Sequence, residues 1–199
     1  MGASTSSRRT TSSAGERTAA GRAARGGTGR APVTAVADDR QLRQLAGRVA
    51  RLAIRRGWSI ATAESCTGGW VAKALTDVPG SSAWFVEGFV TYGNAAKRRR
   101  LGVRRSTLEQ DGAVSEAVVR QMVRGALRRS GADRAVAVSG IAGPSGAVPG
   151  KPVGTVWICW GLRQRGGPQL AAGCYRFAGG REAVRRQSVA AALRGLYQA

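Results

Sequence analysis

Histidine is absent from all 199 residues. That gap excludes a Ser-His-Asp triad, a Cys-His dyad and any His-ligated metal within one chain. Acid–base work near neutral pH then falls to Lys, Tyr, Cys or a carboxylate with a shifted pKa. Lysine is scarce as well: of 32 basic residues only three, Lys73, Lys97 and Lys151, are not arginine. The three cysteines, Cys66, Cys159 and Cys174, are odd in number, far apart and never in a CxxC pair. They fit reduced thiols in a cytosolic protein better than a disulfide framework or a zinc site. No apolar run approaches a membrane span, and no signal-peptide segment follows Arg8-Arg9. The GxxxxGK[ST], GxGxxG and GxSxG patterns are missing too, so no familiar phosphate loop or nucleophile elbow is present.

What is present is a basic chain with room for one domain. Hydrophobic residues make up 43%, enough for a core, and the net charge is +21 with a pI near 11.8. Such a charge points toward nucleic acid, but the excess of Arg, Ala and Gly also reflects composition. A nucleic-acid contact is expected only non-specifically, through the basic N-terminal segment. Residues 1–36, rich in Ser, Thr, Arg, Ala and Gly, read as a disordered tail, and residues 37–199 as the folded domain.

Asp38-Asp39 are placed to start a helix on which Leu42, Leu45, Val49 and Leu52 recur, closed by Gly57. "WSIATAES" reads as a strand and "TGGWVAKALTDV" as the helix after it. "WFVEGFVTYG" is the next strand and "NAAKRRRLG" a short helix. Ser115 caps a long amphipathic helix, "RAVAVSGIAG" is an apolar strand, and "TVWICWGL" and "QLAAGCYRF" form a hairpin. A helix from about Arg181 to Tyr197 completes the chain. Helices alternating with strands, then two strands together, predict an α/β fold: a mixed sheet covered by helices on both faces, a three-layer sandwich.

Sites in such sheets gather where strands end. Three loops qualify: 64–69, 91–97 and 139–154. In the first, Thr67-Gly68-Gly69 would turn backbone N–H groups toward a phosphate or oxyanion, although Ser/Thr capping and glycine packing explain it as well. Cys66 reads as a packing residue. The second offers Tyr92, Asn94 and Lys97. Lysine, unlike arginine, can give up its proton when desolvated or beside other cations, and Arg98-Arg99-Arg100 are candidate depressors of its pKa. Between the two lies "PGSSAWF", where Ser81 and Ser82 are either a nucleophile with its helper or a turn cap. Without histidine, a serine nucleophile needs a Lys or Tyr base.

Together "TAESCTGG", "VPGSSAWFVEGFVTYGNAAK", "GAVSEAVV", "SGIAGPSG", "KPVGTVWI" and "FAGGREAVRRQS" resemble the C-terminal domain of the CinA family. The motifs run in order over about residues 40–197, without the further domain that precedes this one in some relatives, as in a stand-alone form. The resemblance implies hydrolysis of the carboxamide of nicotinamide mononucleotide (NMN), with no metal or cofactor, in a cytoplasmic homodimer. By similarity Ser65, Ser82, Tyr92, Lys97, Ser139 and Arg181 match positions lining the family pocket. Lys97 is the base, Tyr92 lies nearby, and Ser82 stands slightly ahead of Ser65 as nucleophile. The substrate phosphate is assigned to the Thr67-Gly68-Gly69 turn or to Arg181, with Asn94 a further binding residue. Three positions depart from the family pattern: Gly93, Ala147 and Gly180. The alternative is a catalytically idle member acting as a binding protein.

Overall fold

The computed structural model describes residues 36–198. The expected tail over residues 1–36, with the nucleic-acid contact assigned to it, lies outside the described residues except for Val36. The first helix, α1 (Asp39–Arg56), is set by its ends. The Asp38 carboxylate accepts from Gln41 N at 2.7 Å and the Gln41 side chain accepts from Asp38 N at 3.0 Å. Gly57 ends it in the left-handed conformation. There follow β1 (Ile60–Glu64), α2 (Trp70–Thr76), a single 3-10 turn (Ser81–Ala83), β2 (Phe85–Val90) and α3 (Asn94–Leu101). Then come α4 (Arg105–Asp111), α5 (Glu116–Ser130), β3 (Arg134–Gly140), β4 (Thr155–Leu162), β5 (Gln169–Arg176) and α6 (Arg181–Gln198).

The predicted layers are observed. The five-stranded sheet has the order β2-β1-β3-β4-β5. β1 pairs in parallel with β2 and β3, whereas β4 is antiparallel to both β3 and β5. Alternation along β3 assigns the two faces. Val136 and Val138 join Ile158 and Trp160 against α1, α2 and α6. Ala135 and Ala137, with Ala61 and Ala63 of β1, form a floor of small residues under α5. Ser115 caps α5 as predicted, its side chain accepting from Val118 N.

Two elements differ from expectation. The helix predicted across "TGGWVAKALTDV" shrinks to residues 70–76, because Gly68 and Gly69 adopt φ of 62° and 92°, which no right-handed helix allows. α4 was not predicted: it is polar and buries only Thr107 and Leu108, so it carries no apolar periodicity.

α3 is held close to α5 by a glycine. A Cβ on Gly125 would lie 2.0 Å from the Leu101 carbonyl oxygen, a backbone clash that can be relieved only by moving the end of α3. Gly125→Ala is therefore expected to destabilise the fold by about 1–3 kcal/mol, read from urea unfolding. An unchanged midpoint would contradict the close approach.

Candidate active site

Because β1, β2 and β3 run parallel, their carboxyl ends share one edge of the sheet. Ser65 leaves β1 there, Tyr92 and Lys97 follow β2, and Ser139 lies at the end of β3. The antiparallel return through β4 and β5 brings Arg181, at the start of α6, back to the same edge. These five residues border a cavity of 250 Å³, with Ala113 and Val114 on one wall and the 141–146 loop on another.

Lys97 is the most constrained of them, at 1% exposed. Its Nζ donates to the Thr91 and Tyr92 carbonyls at 2.9 and 3.0 Å and to Ser65 Oγ at 2.9 Å. Burial penalises the ammonium and brings its pKa down from 10.5 to about 8. The predicted cause is corrected here: Arg98, Arg99 and Arg100 are all exposed, and desolvation does the work. With two N–H bonds fixed on carbonyls, the neutral amine has its lone pair left for the Ser65 hydroxyl proton. Ser65 itself is held through its N–H on the Val138 carbonyl.

Glu64, immediately before Ser65, has no exposed surface. Its carboxylate accepts from Val71 N at 3.0 Å and Ala72 N at 2.8 Å, while its main-chain carbonyl accepts from Thr91 N. The start of α2 thus already carries an anion supplied by the chain. A phosphate expected at the helix start would share it with this carboxylate. Gly68 and Gly69 border a different cleft, between α1, α2 and α6, and Thr67 is fully buried. Of the backbone donors in the turn, Gly68 and Trp70 are taken by the Ser65 and Thr67 carbonyls.

The remaining candidates fall into place around this centre. Arg181 donates Nη1 to the Gly143 carbonyl at 2.8 Å and Nη2 to Tyr92 Oη at 2.9 Å, strapping the mouth. Ser139 gives its hydroxyl proton to the Ala113 carbonyl at 2.7 Å, fixing the wall that Ala113 and Val114 form. Asn94 is exposed at the start of α3 and does not border the cavity. Ser82 is exposed in the 3-10 turn before β2, at the opposite edge of the sheet. Six residues of strand, about 20 Å, separate it from the lysine side, so the structure does not bring Ser82 and Lys97 together. The Cys66 thiol is pushed up to about 12 by burial, in keeping with a packing role. Gly93 stands at the N-cap of α3 with no side-chain hydrogen bond, and neither there nor at Gly180 would a Cβ meet anything within 4 Å. Sequence reasoning missed Glu64 as the cap, and missed Ala113 and Val114, which reach the site through the unpredicted α4.

A mixed α/β sheet with a buried lysine–serine contact at its carboxyl edge is what this fold and geometry define. The model of the CinA C-terminal domain matches residues 42–199, and the chain belongs to that family. It is 54% identical over 160 residues to the nicotinamide-nucleotide amidohydrolase PncC of Escherichia coli (strain K12), covering 80% of this chain and 95% of that protein. To the protein of the same name from Pseudomonas putida it is 56% identical over 154 residues, covering 77% and 94%. Among solved structures, the competence damage-inducible protein A from Klebsiella pneumoniae superposes with a TM-score of 0.75 at 44% identity, covering 79% of this chain and 95% of that one.

The depressed Lys97 pKa has a consequence for stability. Between pH 8 and 10.5 the unfolded chain keeps a proton on Lys97 that the folded chain has released, so raising the pH favours folding. Below pH 8 the buried ammonium costs about 3 kcal/mol relative to the free-base form. Lys97→Met should remove this dependence, and the difference in unfolding free energy between the two proteins should shift toward wild type from pH 7 to 10. The raised thiols of Cys66 and Cys159 act in the opposite sense but are common to both proteins. A difference that stays flat with pH would contradict a lysine titrating near 8.

Proposed function

We propose that the chain hydrolyses the carboxamide of nicotinamide mononucleotide to nicotinate mononucleotide and ammonia, with Ser65 as nucleophile and Lys97 as its base. The observation that carries the assignment is the 2.9 Å contact of Lys97 Nζ with Ser65 Oγ at the floor of the cavity. The amidohydrolases that it resembles at 54 and 56% identity supply the substrate class.

Neutral Lys97 takes the Ser65 proton as Oγ bonds to the carboxamide carbon. The carbonyl oxygen becomes an oxyanion, for which the main chain at Cys66, on the cavity lining beside Ser65, is the candidate donor. Lys97 then gives its proton to the amide nitrogen, the C–N bond breaks, and ammonia leaves a Ser65 ester. Water attacks that ester with Lys97 taking its proton; the carboxylate departs as Ser65 regains a proton from Lys97. A cavity of 250 Å³ lies below the usual range of about 300–1,000 Å³ for small-molecule sites. It suits the pyridine ring and carboxamide, leaving the phosphate at the mouth. There Arg181 is the group to receive it, with Tyr92 its partner. Cys66 and Cys159 are buried thiols and no cysteine is in a disulfide, which suits a cytosolic setting. The exposed Val86 and Val90 on edge strand β2 suit pairing of two copies.

Purified protein is expected to release ammonia from NMN. Ser65→Ala and Lys97→Ala should each lower kcat by 10³-fold or more, on the order of the loss seen when a nucleophile or its base is removed, and Ser82→Ala should leave it unchanged. The rate should rise with pH and level off above about 8, as the free amine becomes the dominant form. Loss of activity in Ser82→Ala with Ser65→Ala active would reverse the assignment.

A further inference from the structure

The catalytic pocket is not alone on this part of the domain. A cavity of 420 Å³ lies on the other side of the Ser65–Gly69 turn, between α1, α2 and α6, and shares no lining residue with the catalytic one. We propose that it is a second small-molecule site, taking a metabolite that joins a phosphate group to a flat ring.

Charge points to the phosphate. Arg43, Lys73, Arg185 and Arg186 face two carboxylates, Asp39 and Asp77. Lys73 pairs with Asp77 at 2.5 Å, and Arg186 with Asp39 at 2.5 Å and with Glu182 at 2.8 Å. Arg43 and Arg185 stand in no ion pair among the described residues. Two guanidiniums without a carboxylate partner over one cleft suit the paired oxygens of phosphate groups. The walls point to the ring: Leu42 and Ala74 are apolar, and Trp70 is flanked by the guanidiniums of Arg185 and Arg186, 5.1 and 5.0 Å from its ring centre. The volume lies within the usual range of about 300–1,000 Å³ for small-molecule sites, more than a bare phosphate needs.

Arg185 links this cleft to the catalytic turn. Its Nη2 donates to the Thr67 carbonyl at 2.8 Å, yet its Nε is buried without any partner. An orphaned donor makes that side-chain position costly. Phosphate oxygens in the cleft compete for the guanidinium, and turning toward them releases Thr67, two residues from Ser65. Occupancy of the cleft therefore lowers the rate at the catalytic pocket.

The test is titration of the full chain with ADP by calorimetry and tryptophan fluorescence, with adenosine and inorganic pyrophosphate as probes lacking the phosphate and the ring. ADP is expected to bind, adenosine not to bind, and pyrophosphate to bind at least tenfold more weakly. Arg43→Glu, a change at an exposed position, should weaken ADP at least tenfold, whereas Arg181→Ala should not. Arg43→Gln serves if the charge reversal unfolds the protein. Absence of ADP binding, or loss in Arg181→Ala with retention in the Arg43 variants, overturns the site. Pyrophosphate binding as tightly as ADP overturns the ring. Saturating ADP should lower kcat at least twofold in wild type and not in Arg43→Glu; an unchanged kcat overturns the link through Arg185. Binding is read without turnover, so its outcome is independent of the reaction assigned above.

Discussion

The hydrogen bond between Lys97 Nζ and Ser65 Oγ ties the loop after β1 to the helix after β2, and the carboxyl edge of the sheet is organised around it. An ammonium 1% exposed is tolerated only because its donors meet oxygen: the Thr91 and Tyr92 carbonyls and the serine hydroxyl. The same burial lowers its pKa to about 8. One constraint thus sets both the position and the basicity of Lys97. In a chain without histidine, desolvation rather than a surround of arginines brings one of the three lysines toward neutral pH.

The rest of the edge holds that bond in register. Glu64 closes the start of α2 with its carboxylate and receives Thr91 N on its carbonyl, so the residue before Ser65 is fastened to the segment that leads to Lys97. Gly125 lets α3 settle against α5, and α3 carries Lys97. Ser139 secures the Ala113 wall, and Arg181 crosses the mouth to Tyr92. Apart from the Glu64 carboxylate cap, these contacts join segments distant in sequence. The site is therefore a property of the sheet order more than of any single motif.

Much of the fold was legible because periodicity and caps are local. Asp38 and Gly57 bracket α1, Ser115 starts α5, and the β4–β5 hairpin turns where Gly166-Gly167-Pro168 stand. The three loops at the carboxyl edge were legible for the same reason, and they delivered Ser65, Tyr92, Lys97 and Ser139 to one cavity. What failed needed three dimensions. Glu64 reads as one more polar turn residue until its fold-back onto Val71 and Ala72 is seen. α4 buries too little to announce itself. The place of Ser82 is local information: it precedes its strand, and in a parallel sheet residues before a strand lie at the edge opposite those that follow one.

The central claim is that Ser65, activated by Lys97, forms the ester. Acid quenching during turnover of NMN, followed by tryptic digestion and mass spectrometry, addresses it directly. Ser65 lies in the peptide of residues 57–73 and Ser82 in that of residues 74–97. The account predicts the acyl mass on the first peptide, at Ser65, and its disappearance in Ser65→Ala. The same mass on the second peptide would contradict it.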